Sequence, residues 1–143
     1  MSPRIAGLLE TALYVDDMAR SVRFFREVLR LVPMFESERL TAFDAGHIGV
    51  LLIFARFESH EDVTTPGGII PGHEGAGPLH MAFAISREDY EPWRDHLAEA
   101  GVTIASEVAW PRGGRSLYFM DPDGHVLELA TPGLWSNDAD RPD

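Results

Sequence analysis

Hydrophobic residues along the chain recur in two patterns, one typical of strands and one typical of helices. These patterns predict strands and helices in a repeated order. Residues 8–15 alternate as a strand does, and Val22, Phe25 and Leu29 then recur at spacings of three and four, as on one face of a helix. Apolar runs predict seven further strands, at 31–35, 40–43, 48–54, 79–85, 102–108, 116–120 and 126–130. A second helix is predicted after Ser86. The order is therefore β-α-β-β-β, a Gly- and Pro-rich linker, and β-α-β-β-β again.

The two halves also match in sequence. "LETALYVD" in the first half resembles "LHMAFAIS" in the second, and "DAGHIGVLL" resembles "DPDGHVLEL" with one inserted residue. A unit of this size cannot bury its own sheet face, so two units must pack together or each must pack on a second chain. We predict one domain over residues 1–135 and an acidic flexible tail at 136–143. Within the domain we place module one at about 7–56, a linker at 57–77 and module two at 78–132.

Three polar residues interrupt the apolar strands at related positions. Glu10 and His80 open the two matching first strands, Glu128 lies on the last strand, and an alanine follows each two residues later. Because residues i and i+2 share a face of a strand, all three are expected on small-residue faces that line a cavity. A buried carboxylate is costly unless it is paired or bound to a metal, and imidazole with carboxylates suits Mn, Fe, Ni, Co or Zn. The matching fourth position, near Val50, is apolar, so three protein ligands are predicted.

Each of these residues also has an ordinary explanation. A single strand histidine is more often structural, and a glutamate near an N-terminus, such as Glu10, is usually exposed. Glu128 alone has Arg115 or Arg39 as a possible ion-pair partner. What favours a metal site is the joint placement of three such residues at repeat-related positions.

Composition excludes several other classes of protein. The 143 residues are 45% hydrophobic and carry a formal net charge of −11, which argues against a phosphate-backbone partner. No apolar run is long enough to span a membrane, and the first residues lack the apolar core of a signal peptide. There are no cysteines, so thiolate metal sites and disulfides are excluded. A cytoplasmic location is expected.

Three segments resemble the vicinal oxygen chelate superfamily, which includes glyoxalase I, extradiol dioxygenases and the fosfomycin- and bleomycin-resistance proteins. They are "LYVDDMARSVRFFREVL", "GPLHMAFAI" and "GRSLYFMDPDGHVLELATPG", and the last is particularly similar to the ending of fosfomycin-resistance proteins. The resemblance covers about residues 7–132. It implies an α+β fold in which two tandem βαβββ modules form a cupped, incompletely closed mixed sheet around one divalent metal ion. It also implies a homodimer with sites shared between chains.

The resemblance places metal ligands at Glu10, His80 and Glu128. Glu10 stands where the family often has histidine, which weakens a two-histidine dioxygenase centre. The ligand that glyoxalase I generally has near Val50 is absent, whereas fosfomycin-type enzymes use three ligands. Trp110 and the linker are weak candidates for a lid.

The resemblance implies a metal-dependent lyase, isomerase, transferase or dioxygenase that chelates a small oxygen-rich substrate by Lewis-acid chemistry. Arg115 is a candidate for holding an anionic substrate group, and Glu128 and Tyr14 are further candidates for catalysis. Ser116 and Tyr118 join Arg115 as candidate substrate-binding residues. The alternative is a non-catalytic small-molecule or drug-binding protein of the bleomycin-resistance type.

Overall fold

The computed structural model describes residues 2–138, and it divides into two compact units, Met1–Ala76 and Gly77–Asp143. Each unit contains one α-helix and an open four-stranded mixed sheet, in the chain order β-α-β-β-β. The predicted fold class, α+β with two tandem βαβββ modules, is confirmed. Residues 139–143 of the predicted tail lie outside the described residues. No helix among the described residues is long and apolar enough to cross a membrane.

The first unit forms its sheet from strands that are close in sequence. Its elements are β1 (Glu10–Val15), α1 (Met18–Glu27), β2 (Val32–Glu36), β3 (Leu40–Asp44) and β4 (Val50–Ala55). The strand order is β1-β4-β3-β2, with β1 parallel to β4 and the other two pairs antiparallel. The helix lies between β1 and β2 in the chain and allows this parallel crossover.

Helix α1 begins where the sequence provides an N-cap. Asp17 has extended backbone angles, and its carboxylate accepts the N–H of Arg20 at 3.0 Å. Phe25 of the helix is fully buried, as are Leu13 and Val15 of β1. The large apolar side chains of β1 therefore face the core, and the alternate side chains of the strand lie on the other face of the sheet.

The segment at 57–77, predicted as a linker, contains regular structure. It forms an antiparallel hairpin from β5 (Val63–Thr65) and β6 (Gly68–Ile70). After the hairpin, Gly72 lies so close to His60 that a Cβ atom there would be 2.3 Å from the His60 carbonyl oxygen. The next residue, His73, donates its N–H to the Ser59 carbonyl at 2.8 Å. Glycine here permits close backbone packing, so the end of the segment is fixed within the first unit.

The second unit repeats the topology of the first. Its elements are β7 (His80–Ala84), α2 (Tyr90–Glu99), β8 (Ser106–Ala109), β9 (Arg115–Met120) and β10 (Val126–Ala130), in the sheet order β7-β10-β9-β8. The strand predicted at 102–108 begins only at Ser106. Helix α2 begins a turn later than predicted, because the Ser86 hydroxyl caps the preceding turn by accepting the N–H of Asp89 at 3.2 Å.

The turn between β9 and β10 is built around Asp121. Its carboxylate accepts the N–H groups of Asp123 at 3.1 Å and His125 at 2.8 Å, and it lies 2.7 Å from His125 Nδ1. Gly124 has a φ of 81°, in the region that favours glycine. His125 is only 1% exposed. These bonds fix the point at which β10 begins, and therefore the position of Glu128.

The strand pairs define which positions are equivalent in the two units. Glu128 pairs with Ala82 in the second unit, and Leu52 pairs with Ala12 in the first. The counterpart of Glu128 is therefore Leu52, two residues beyond the predicted position at Val50. The difference arises because the turns before β4 and β10 are equal in length, with Asp44 paired to Val50 and Met120 to Val126, whereas the sequence match aligned the Gly-His pairs of the two turns. Leu52 is also apolar and brings no ligand group.

Candidate metal centre

His80 and Glu128 lie on strands that pair in the second unit, and their side chains meet. His80 Nε2 is 3.3 Å from Glu128 Oε1. Glu128 is 4% exposed, whereas the imidazole is about half exposed. The structure thus brings together two of the three predicted ligands, one buried and one open to the cavity.

The contacts of His80 define which ring nitrogen carries the proton. Nδ1 is 2.8 Å from the carbonyl oxygen of Val126, and a carbonyl oxygen only accepts, so Nδ1 donates. In the neutral imidazole the lone pair then lies on Nε2 and faces the carboxylate of Glu128. A nitrogen lone pair and a carboxylate oxygen repel each other at this distance. A cation bound between them, or a second ring proton on His80 Nε2, removes the repulsion.

This arrangement fits a divalent cation. Histidine ligands commonly donate their other ring N–H to a backbone carbonyl, as His80 does to Val126, and this orients the free nitrogen towards the ion. A carboxylate beside that nitrogen supplies the negative charge. Among residues 2–138, no group of three His, Asp or Glu side chains converges in a geometry that would hold a metal. The described centre is therefore a pair of ligand groups.

The second oxygen of Glu128 is held by two hydrogen bonds in series. Ser116 Oγ donates to Glu128 Oε2 at 2.5 Å, and Trp110 Nε1 donates to Ser116 Oγ at 2.8 Å. Because an indole N–H can only donate, the Ser116 hydroxyl accepts from Trp110 and directs its own proton to the carboxylate. The carboxylate is thereby turned so that Oε1 faces His80. The sequence identified Ser116 as a substrate-binding candidate and Trp110 as a weak lid candidate, but it did not indicate this connection.

Tyr118 lies beside the same pair. It is opposite Glu128 in the β9–β10 ladder, and its ring centroid is 6.2 Å from that of His80. Burial, and secondarily the negative charge of Glu128 and a hydrogen bond to it, raise the pKa of the Tyr118 hydroxyl above its usual 10.0. Tyr118 is therefore a neutral phenol at physiological pH and is able to donate a hydrogen bond.

These side chains line a cavity of about 540 Å³ in the second unit. The rest of its wall is largely apolar and includes Ala82, Ala84, Ala130, Trp110, Leu134 and Trp135. A volume of this order, with few polar groups, is typical of a small-molecule site.

One wall of the cavity comes from the segment after β10. Asp138 in this segment is 6% exposed, and its carboxylate accepts the N–H groups of Gly133, Leu134 and Trp135 at 2.8–2.9 Å. It lies within the stretch that the sequence predicts as an acidic flexible tail. Sequence reasoning missed Asp138 because aspartates near a terminus are usually exposed; its spacing of three from Trp135 is the available signal.

Arg115, for which catalytic and anion-binding roles were predicted, does not line this cavity. Its side chain alternates with that of Ser116 and so lies on the opposite face of β9. The guanidinium carbon is 3.7 Å from the ring centroid of Tyr90, and Nη1 is 3.2 Å from a carboxylate oxygen of Glu91. Arg115 therefore binds helix α2 to the sheet.

Glu10 and Tyr14 share one face of β1 in the first unit. Glu10 is exposed. The Tyr14 hydroxyl is 2.7 Å from His73 Nδ1, and its ring stacks on Phe54 with centroids 5.8 Å apart. Burial, and then the negative charge of Glu74, raise the pKa of Tyr14 above 10.0. His73 reaches this face because the folded segment that carries it packs against Ser59.

Comparison with known proteins gives one consistent family. Residues 7–129 match the Glyoxalase/Bleomycin resistance protein/Dioxygenase superfamily. Glutathione transferase FosA of Serratia marcescens is 32% identical over 133 residues, which cover 91% of this chain and 84% of FosA. Lactoylglutathione lyase from Agrobacterium tumefaciens has a TM-score of 0.84 at 28% identity, covering 94% of this chain and 99% of its own.

A third similar protein was solved with a metal. It is a variant of the fosfomycin resistance protein FosX from Listeria monocytogenes, complexed with Mn(II) and 1S,2S-dihydroxypropylphosphonic acid. Its TM-score is 0.64 at 23% identity, covering 88% of this chain and 90% of FosX. At this identity the likeness shows a shared fold.

Proposed function

Because the chain belongs to the glyoxalase/bleomycin resistance protein/dioxygenase superfamily, we propose that it is a divalent-metal-dependent enzyme acting on a small oxygen-rich substrate. The observation that carries this proposal is the pairing of His80 with Glu128. Nε2 of His80 faces a buried carboxylate oxygen of Glu128 at 3.3 Å, and its Nδ1–H donates to a backbone carbonyl. A divalent cation satisfies both electron-rich atoms.

The proposed ligand set is His80, Glu128 and Glu10. The first two are supported by their contact, and Glu10 by its place in the repeat, since it opens β1 as His80 opens β7. One imidazole and two carboxylates suit Mn, Fe, Ni, Co or Zn and nearly neutralise a divalent charge. Mn(II) is the first ion to test, because it is the metal in the FosX complex.

A divalent ion held by these residues would supply Lewis-acid polarisation of the substrate. The side chains of the chain do the remaining work. Ser116 and Trp110 hold the Glu128 carboxylate in one orientation, and the neutral phenol of Tyr118 exchanges its hydrogen bond to Glu128 for one to a substrate oxygen. Tyr14 is proposed as a further donor on the Glu10 face.

Titration of chelator-stripped protein with Mn(II), followed by calorimetry and electron paramagnetic resonance, tests the proposal. We expect one site per chain, and His80→Ala and Glu128→Gln should each weaken binding by at least about tenfold. His60→Ala is the matched control: His60 Nδ1 is 2.7 Å from the Phe57 carbonyl and Nε2 is 3.9 Å from a Glu61 carboxylate oxygen, but Glu61 is exposed. The proposal is wrong if none of Mn, Fe, Ni, Co and Zn binds. It is also wrong if the His80→Ala variant binds the metal as tightly as the unmodified protein does. If Mn(II) binds as expected, the metal-loaded protein is assayed for activity on fosfomycin, methylglyoxal–thiol adducts and catechols.

A non-catalytic binding protein is the second candidate function. It is favoured by the largely apolar cavity and by the convergence of only two ligand groups among the described residues. In that case the metal-free chain would bind small molecules in the cavity, and added Mn(II) would not change their affinity.

A further inference from the structure

Away from His80 and Glu128, the cavity presents small and aromatic side chains. Ala82 and Ala130 leave open space over the sheet, and Trp110, Leu134 and Trp135 stand around it. Trp135 is 70% exposed, so its indole offers apolar surface that is not yet covered. A flat or branched apolar group gains most from such walls, because it removes this area from water.

No cationic side chain lines the cavity among the described residues. The chain contains no lysine, so only arginines are available. Arg115 is bound to Glu91 and Tyr90 on the other face of the sheet, and Arg87 Nη2 lies 3.4 Å from the Pro132 carbonyl oxygen. The polar side chains that do line the cavity are the half-exposed His80, Tyr118 and the carboxylates of Glu128 and Asp138.

The backbone donors at the cavity wall are also engaged. Converging backbone N–H groups form anion sites where cations are absent. Residues 133–135 provide three such groups, and all three donate to the buried carboxylate of Asp138 at 2.8–2.9 Å. The place where an anionic substrate oxygen would bind is thus taken by an aspartate of the chain.

We propose that this cavity receives an uncharged aromatic or branched apolar group of the substrate, and that it disfavours a phosphonate or other anion. Trp135 and Asp138 determine this selectivity: Trp135 supplies the apolar contact, and Asp138 occupies the anion position. The inference rests on the proposed function, because it assigns a substrate class to the same metal site.

Three metal-chelating probes separate this inference from the proposed function. Benzohydroxamate, acetohydroxamate and phosphonoformate each chelate an ion through two oxygens, but they carry a phenyl, a methyl and an anionic group. Their affinities for the Mn(II)-loaded full chain are measured by calorimetry. We expect benzohydroxamate to bind at least about tenfold more tightly than acetohydroxamate, because its ring buries more apolar area. Phosphonoformate should bind most weakly of the three.

Variants assign the effect to the wall. Trp135→Ala should weaken benzohydroxamate binding about tenfold and leave acetohydroxamate unchanged, which also shows that the site is intact. Trp93→Ala on α2 is the matched control. Asp138→Asn removes a carboxylate from the cavity and should strengthen phosphonoformate binding.

The two failures are distinguishable. If Mn(II) does not bind at all, the proposed function fails, and the inference fails with it. If Mn(II) binds but phosphonoformate binds more tightly than benzohydroxamate, or the two hydroxamates bind equally, only the substrate class is overturned.

Discussion

At the scale of single residues, the orientation of the ligand atoms is set by groups that need not touch a metal. The Val126 carbonyl accepts the Nδ1–H of His80 and so fixes its tautomer. Ser116 donates to one oxygen of Glu128, so the other oxygen faces His80. These hydrogen bonds restrict the side-chain conformations of His80 and Glu128 before an ion binds. Metal binding therefore loses less conformational entropy.

Removing these partners should therefore weaken metal binding without removing a ligand. Ser116→Ala leaves Glu128 Oε2 without its donor, and we expect Mn(II) affinity to fall by about 10- to 100-fold. Trp110→Phe keeps the aromatic wall but frees the Ser116 hydroxyl, so the fall should be smaller. Calorimetric titration with Mn(II) measures both, with Trp93→Phe as the control. Unchanged affinity in Ser116→Ala would mean that the Ser116–Glu128 bond has no positioning role.

The buried turn before β10 should make stability depend on pH. The hydrogen bond that His125 Nδ1 donates to the Asp121 carboxylate raises the pKa of His125 above 6.5, aided by the charges of Asp121 and Asp123 and opposed by burial. A raised pKa means that protonated His125 stabilises the folded state. This stabilisation is complete below the unfolded pKa near 6.5 and is lost as pH rises through the higher folded pKa.

Urea unfolding at several values between about pH 5.5 and 8.5 tests this. The free energy of unfolding of the unmodified protein should fall with pH relative to His125→Gln, which cannot titrate. Asp121→Asn should cost about 1.5–3 kcal/mol at low pH, because a buried charged hydrogen bond is lost. Parallel pH profiles for the unmodified protein and His125→Gln would contradict the assignment.

At the scale of elements, local alternation predicted what it governs directly. Strand parity places His80 and Glu128 on small-residue faces, and the sequence repeat gives the order of strands and helices. The same parity separates Arg115 from Ser116, so its position opposite the cavity was readable from alternation. A substrate role was predicted for Arg115 because it precedes the turn near the final strand; in the structure it contacts Tyr90 and Glu91 of α2.

The features that sequence reasoning missed depend on contacts between distant residues. The Tyr14–His73 hydrogen bond joins residues 59 positions apart and exists because Gly72 allows the segment to pack closely on His60. Asp138 is buried because three backbone N–H groups satisfy its charge. Neither bond has a periodic signature, since each depends on where a loop is packed rather than on its own pattern.

At the scale of the molecule, the first unit leaves apolar surface at the edge of its sheet. Strand β2 ends the order β1-β4-β3-β2, and Val32, Met34 and Phe35 on it are 55–65% exposed. An exposed apolar edge strand promotes association with another chain. The formal net charge of −11 opposes non-specific aggregation, so a specific contact is favoured over precipitation.

We therefore expect the chain to form a homodimer, as its family resemblance also implies. Light scattering after size exclusion should give twice 15.9 kDa at about 50 μM, and added salt should strengthen association by screening repulsion between acidic chains. Phe35→Arg should shift the population towards monomer, because it places a charge in an apolar contact. Glu38→Arg, which changes the charge nearby but not the apolar surface, is the control. If the protein is a monomer at all salt concentrations and still binds Mn(II), one chain suffices for the metal site. In that case no second chain packs on β2.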